Sequence, residues 1–278
     1  MNTSIRITLL RRAARRLLPA RTRRFLNFVG LSLNQATPPE LVTLLAARSV
    51  LVLAPHPDDE VAGCGGTLCQ HIRRGARVTV AYITDGRLGS LRLQRNDLLG
   101  DEREAFQAEL IRIRKTEAAA ARILGITELI FLDFRDGELR VSRETIGRVA
   151  DLLAANRPEV VYLPFPADRH RDHVETARIF SAAASPSRDS CEVYAYELWS
   201  PLYPNCMVDI SDVIEIKRQA LLQFTSQIQD NDFPRSILGL NAYRSAFHLH
   251  SRGYAEAFFR CSLSEFRRLC RQLVGTSS

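Results

Sequence analysis

Short apolar runs alternate with longer amphipathic stretches through the middle of the chain. "SVLVLA" (49–54), "RVTVAYIT" (77–84), "ELIFLD" (128–133) and "EVVYLP" (159–164) are near-continuous hydrophobic segments rich in branched side chains, the pattern of strands buried on both faces. Between them, 61–74, 102–124 and 142–155 carry apolar residues at helical spacing. Strands separated by helices predict an α/β fold with a doubly wound, mostly parallel sheet. Farther on, "EVYAYELW" and "CMVDIS" predict a C-terminal strand pair, followed by helices over about 211–223 and 262–273. Internal repeats and low-complexity tracts are absent from the sequence.

The first 39 residues follow a different pattern. In "LLRRAARRLLP", Leu10, Ala13, Ala14, Leu17 and Leu18 fall on one helical face and Arg11, Arg12, Arg15 and Arg16 on the other, until Pro19 ends the register. This predicts a basic amphipathic N-terminal arm over 1–39, ahead of a single domain over 40–278. Attachment to an anionic membrane surface, with "FLNFVGLSL" adding apolar contact, is one reading; a solvated arm or one packed on its own domain is the other. The arginines break up any secretory h-region, and no run approaches the ~18 apolar residues of a spanning helix. The expected location is cytoplasmic, peripheral on the inner membrane surface where the arm binds.

Charge changes the picture only at the arm. The chain of 278 residues has a formal net charge of +7, yet its first 39 residues hold eight arginines and no acid, leaving 30 basic against 31 acidic residues in the rest. A nucleic-acid-binding face on the folded part is therefore not expected. Six cysteines (64, 69, 191, 206, 261 and 270) include no CxxC pair, which points to a reduced protein.

Ligands of a doubly wound sheet bind beyond the carboxyl ends of its strands. The loop after the first central strand is "APHPDDE" (54–60), and the loop after the fourth is "FPADRHRDH" (165–173). Two imidazoles and a carboxylate around an ion with one open position compose a hydrolytic zinc site, and a further carboxylate can take a proton from water. His56 and Asp59 are close enough in sequence for one loop to wrap both around an ion, which leaves Asp58 for a second job. Compensation of a helix dipole accounts for acids at a helix start, but not for His56 and the second cluster together. "GCGGT" (63–67) matches neither phosphate-loop pattern and reads as close packing of a helix on the sheet.

"APHPDDE" followed by "GCGGTL", then "TDG" (84–86), "RKTEAAAARILG" (114–125), "HRDH" (170–173), "YELWSPLYPNCMVDIS" and "KRQALLQFTSQ" (217–227) together resemble the zinc-dependent N-acetylglucosaminyl deacetylases. This PIG-L or LmbE-like family includes the deacetylases of mycothiol and bacillithiol biosynthesis and of glycosylphosphatidylinositol anchors. The resemblance spans roughly 48–260 and excludes the arm. It implies a Rossmann-like fold and a hydrolase that removes the N-acetyl group from an N-acetylglucosamine-type sugar conjugate. It further implies a single zinc ion per chain, held by His56, Asp59 and His173, with other divalent metals as alternatives. Asp58 is implied as general base, His170 as proton donor to the leaving amine or stabiliser of the oxyanion, and Asp172 as the residue tuning His170. Arg114 and Asp136 are implied contacts to sugar hydroxyls. Some relatives read A-H-P-D-D-E where this chain has Ala54-Pro55-His56. Two alternatives stand beside this reading: a non-hydrolytic sugar- or nucleotide-binding module of the same fold, and a nucleic-acid binder acting through the arm.

Overall fold

This computed structural model describes residues 19, 22, 38–42, 46–95, 97–185 and 189–274. The expected amphipathic helix over 10–18 and the segment "FLNFVGLSL" lie outside the described residues.

In chain order the elements are β1 (Glu40–Val42), β2 (Ser49–Ala54), α1 (Asp59–Arg73), β3 (Arg77–Thr84), α2 (Leu91–Gln94), α3 (Gly100–Glu117), a 3-10 helix (Ala118–Leu124), β4 (Glu128–Phe134), α4 (Arg143–Asn156), β5 (Val160–Pro164), α5 (Arg171–Ala183), β6 (Glu192–Tyr196), β7 (Cys206–Asp209), α6 (Ile214–Leu221), α7 (Thr225–Ile228), α8 (Phe233–Arg244), β8 (Ala255–Ser262) and α9 (Leu263–Val274). The strands form one sheet in the order β1-β7-β8-β6-β5-β2-β3-β4, parallel except for β8, which runs antiparallel to both β6 and β7. The Rossmann-like expectation holds. The two expected C-terminal strands are present, separated by β8, which inserts between them.

Two apolar layers cover the sheet. Val50, Val52, Val80, Tyr82, Tyr162 and Tyr196 face α1, the 3-10 helix, α6 and α8, whereas Leu51, Leu53, Ile83, Val161 and Leu163 face α4, α5 and α9. Both faces of β2 are thus buried, which is why its sequence reads as an unbroken apolar run. The stretch 102–124 is not one α-helix: α3 ends at Glu117, and the alanine run continues as the 3-10 turn until Gly125, with φ 91°, reverses the chain. Among the described residues, none of the helices is long and apolar enough to cross a membrane. The six cysteines are free thiols.

The glycines of "GCGG" face other elements at contact distance. A Cβ on Gly63 would overlap the Tyr196 ring, and one on Gly66 would lie 2.7 Å from Ile210 Cβ. Gly66→Ala is therefore expected to destabilise the protein by ~1–3 kcal/mol through overpacking. Gly147→Ala, in α4 where a Cβ meets nothing within 4 Å, should stabilise by roughly 0.5–1 kcal/mol. Urea unfolding midpoints at unchanged slope would show the opposite signs.

The topology fixes where chemistry can sit. From β2 the chain proceeds to β3 and β4 on one side, while β5 pairs the other side of β2 and leads to β6. The winding reverses between β2 and β5, and the crevice beyond their carboxyl ends is the switch point. The two loops that leave those ends are the histidine- and aspartate-bearing loops.

Candidate metal centre and active-site cleft

β2 delivers Pro55 and His56, and the chain turns directly into α1, so Asp58 sits at the N-cap and Asp59 in the first turn. The turn is sharp enough that Asp58 takes φ 139° and ψ −26°, outside the regions open to most side chains and costing of order 1–3 kcal/mol. Glu60 holds this backbone in place: its Oε2 accepts from Asp58 N at 3.1 Å, and its Oε1 accepts from the Tyr82 hydroxyl at 2.7 Å. Burial pushes the Glu60 carboxyl up to about 8, against the opposing pull of the Tyr82 hydroxyl. Sequence reasoning passed over Glu60, whose signal is a third acid at the start of a buried helix.

His56, Asp59 and His173 converge. Asp59 Oδ2 lies 3.1 Å from His56 Nδ1 and 3.3 Å from His173 Nε2, and all three residues are buried. Neither ring nitrogen of His173 has a hydrogen-bond partner, although both face carboxylates, with Asp168 Oδ2 3.7 Å from Nδ1. Two imidazoles and one carboxylate, with His173 Nε2 buried and unpaired where they meet, fit a divalent cation of the zinc type. Among the described residues, the sets whose donor atoms all lie within 4.8 Å of one another are His56, His170 and His173, and His56, Asp136 and Asp172; Asp59 is in neither and joins His56 and His173 through Oδ2.

The acids and bases polarise one another. Burial works against the charged form of Asp59, but His173 and His56 hold its carboxyl well below the usual carboxylate range. Burial likewise opposes protonation of both imidazoles. Bonds to Asp136, Asp172 and Asp59 nevertheless raise His56 well above its ordinary value, and Asp59 with Asp168 raises His173 to about 9. His170 is lowered, first by burial and then by the charges on His56 and His173. A cation entering this set must displace the imidazole protons. Zinc binding at pH 7 is therefore expected to release about two protons and to tighten as pH rises toward 9. Calorimetry in buffers of different ionisation enthalpy measures that release, and a proton count near zero would contradict the assignment.

Asp58 stands apart from the ligand cluster and faces Arg114 of α3, whose Nη2 lies 2.8 Å from Asp58 Oδ2. Burial raises the Asp58 carboxyl and Arg114 opposes it, the balance lying at about 6. Arg114 itself is buried, and its Nε and Nη1 have no hydrogen-bond partner. The expected sugar contact of Arg114 is thus joined by a contact to the expected base. Gly86, at φ 68°, passes close beneath the guanidinium: a Cβ there would come within 3.3 Å of both Arg114 Nε and Pro57 Cδ.

Asp136 and Asp172 both reach His56 Nε2, at 3.2 and 3.4 Å. Asp136 Oδ2 also accepts from Leu88 N, so this carboxylate is shared between a histidine and the cleft wall. The Asp172 carboxylate accepts from Gly137 N at 2.8 Å, and the Asp172 contact to His170 runs instead through its backbone N–H, which donates to His170 Nδ1 at 3.3 Å. The Asp172 carboxylate thus bonds to His56, and its charge also acts on His170, in the direction that raises the imidazole. Asp168, visible in "FPADRH" but given no task there, accepts from His170 N and Trp199 N and flanks His173.

These groups open into a cleft of about 530 Å³ whose floor is His56, Asp58, Asp59, Arg114, Asp136 and His170. Its rim is apolar, formed by Leu88, Leu91, Leu198, Trp199 and Phe233, with Asp230 among them. Of the segment 87–106, only the start lines the cleft, through Leu88, Gly89 and Leu91. Gln227 donates to Gly89 O and Asp230 accepts from Leu91 N, while Glu117 accepts from Thr225 and Ser226. Those bonds clip the wall to α3.

The sequence model of the PIG-L family, described as GlcNAc-PI de-N-acetylase, matches residues 51–184. A probable N-acetyl-alpha-D-glucosaminyl L-malate deacetylase of Bacillus cereus is 31% identical over 66% of this chain and 84% of that protein. A 4-oxalmesaconate hydratase of Pseudomonas putida is 30% identical over 63% of this chain and 72% of that protein. The structure of the N,N'-diacetylchitobiose deacetylase of Pyrococcus horikoshii superposes with TM-score 0.63 at 26% identity, covering 79% of this chain and 86% of that one.

Proposed function

The chain belongs to the PIG-L family of deacetylases, and from that membership we propose that it hydrolyses the amide of an N-acetylglucosamine-type sugar conjugate to a free amine and acetate. One observation carries this reading: Asp58, with a carboxyl near 6, stands in the same cleft as the converging donor atoms of His56, Asp59 and His173. We assign zinc to those three residues. A zinc ion there supplies Lewis acidity, making water acidic near pH 7 and polarising an amide carbonyl.

The chain's own groups then divide the proton traffic. Arg114 engages Asp58 Oδ2, so Asp58 takes the proton of the attacking water at its other oxygen. His170 accepts from Asp172 N at Nδ1, so its neutral tautomer carries the proton on Nε2. That nitrogen serves the developing oxyanion or the departing amine. Asp136 and Asp172 orient His56, and Arg114, itself paired with Glu117 through Nη1, fixes the position of Asp58 at the cleft floor. Trp199 and the leucines of the rim cover the apolar face of a sugar and shield the amide from bulk water.

The 30% identity to a hydratase favours a second reading, addition of water to an unsaturated carboxylate. The two readings differ in product: acetate and an amine from the first, a hydrated carboxylate and no acetate from the second. An acetate-release screen across N-acetylglucosamine conjugates, polyprenyl-diphosphate-linked ones included, with zinc present, tests the proposal. Equal yields of acetate and amine are expected from at least one conjugate. Hydration of an unsaturated dicarboxylate without any acetate release would overturn it, and saturable sugar binding with no product would make the chain a binding module.

A further inference from the structure

Seven large apolar side chains among the described residues are substantially exposed, and four of them gather around one seam: Trp199 (56%), Tyr203 (58%), Tyr243 (65%) and Phe247 (52%). Trp199 and Tyr203 lie on the loop between β6 and β7, and Tyr243 and Phe247 at the end of α8 and just beyond it. Arg244 ties the two segments together, donating to both carboxylate oxygens of Glu197 and to Leu202 O, with its guanidinium carbon 5.7 Å from the Tyr243 ring centre. The seam runs from the cleft, since Trp199 and Phe233 line its mouth and α8 spans ~18 Å from Phe233 to Arg244.

The far end of the seam is where the described chain begins. His248, next to Phe247, contacts Pro39 O through its Nε2. Register places that point at the level of the cleft: Tyr196 at the carboxyl end of β6 is opposite Phe258, Phe258 opposite Cys206, and Cys206 opposite Glu40. Three strand spacings put Glu40 roughly 14 Å from the end of β6. The described segment that starts at residue 38 thus begins beside the aromatic seam, and the 37 residues before it in sequence hold eight arginines and no acid. The segment 245–253 adds His248, His250 and Arg252 and no acid, Arg244 being buried in its pair with Glu197, while Glu40 at the margin is paired with Arg260.

We propose that the Trp199–Tyr203–Tyr243–Phe247 seam is a membrane-docking face that works with the basic arm to seat the mouth of the cleft against an anionic lipid bilayer. Aromatic side chains enter the interface while arginines bind the anionic headgroups. The proposal extends the deacetylase reading toward amphiphilic, lipid-linked sugar substrates, but its test reads binding rather than turnover, so either can fail alone.

Trp199 is the protein's one tryptophan and reports on the seam directly. Full-length protein is mixed with phosphatidylcholine vesicles, with and without phosphatidylglycerol, and followed by co-sedimentation and by quenching with brominated phosphatidylcholine. The expected result is sedimentation that depends on phosphatidylglycerol and weakens with salt, with Trp199 emission moving to shorter wavelength and being quenched. The double variant Tyr243→Ser/Phe247→Ser should bind about tenfold more weakly for the apolar area it removes, with an unchanged circular dichroism spectrum. Sedimentation without any change in Trp199 emission would overturn the docking face, as would unaltered binding by the double variant. Binding to polyuridine but not to vesicles would assign the arm to nucleic acid and overturn the proposal as well.

Discussion

Lys217→Met is expected to cost about 3–5 kcal/mol, the largest loss of stability from a single side chain away from the cleft. Lys217 is fully buried, and its Nζ donates to Glu256 Oε1 at 2.6 Å, Asn241 Oδ1 at 2.9 Å and Ala62 O at 2.9 Å. Glu256 in turn accepts from Gly66 N and Thr67 N, in the middle of α1. The pair joins α6, α8 and β8 to the helix whose first turn carries Asp59. With methionine at 217, the Glu256 carboxylate keeps two amides but loses its counter-charge inside the core, where an uncompensated charge is most costly. The double variant Lys217→Met/Glu256→Gln should recover part of the loss, because the buried charge is gone, although the amide oxygen can accept from only one of Gly66 N and Thr67 N. Urea unfolding of the two singles and the double measures the coupling, and equal, additive losses would show that the pair is not a unit.

Asp58→Asn and Asp59→Asn are expected to fail in different ways although the residues are adjacent. The first substitution leaves His56, Asp59 and His173 in place, so zinc content should be retained while turnover falls ~10²-fold to 10⁴-fold with the loss of the proton acceptor. Asp59 is the residue whose Oδ2 meets both histidines. An amide oxygen there is a neutral, weaker ligand, so Asp59→Asn should lose zinc on dialysis and regain part of its activity in added metal. His170→Ala should keep zinc, like Asp58→Asn, and alter the pH profile. Zinc content measured beside turnover separates these outcomes. A zinc-free Asp58→Asn together with a fully loaded Asp59→Asn would invert the assignment.

The legible parts of this protein are those whose signal is local. β2 and β3 are readable to the residue because both of their faces are buried, so every position after the exposed Arg77 that opens β3 is apolar or small. The loops after β2 and β5 declare themselves by charge concentrated where a parallel sheet ends. β8 is not legible as the partner of β6 and β7, because pairing between segments roughly 50 to 70 residues apart leaves no mark on the spacing within either. α5 was hidden by its own first turn: His170, Asp172 and His173 read as a loop motif, whereas His170 is the N-cap and the helix begins at Arg171. α8 was hidden by weak segregation of its apolar residues. Within the site, residue types and spacing pointed to His56, Asp58, Asp59 and the 165–173 cluster, and the family resemblance singled out His173 there, but neither told which carboxylate touches which ring. Asp172 meets His56, and Arg114 meets Asp58, through contacts between residues 56 or more apart in sequence.

The central claim, a zinc-supported deacetylase built on His56, Asp59 and His173 with Asp58 as proton acceptor, is tested most directly by titrating metal-free protein with zinc while following acetate release from an N-acetylglucosamine conjugate. The account predicts no acetate from the metal-free protein, a linear rise that ends at about one zinc per chain, and one amine for each acetate. Acetate release that is unchanged by removing the metal, or zinc binding at full occupancy with no acetate from any conjugate, would contradict it.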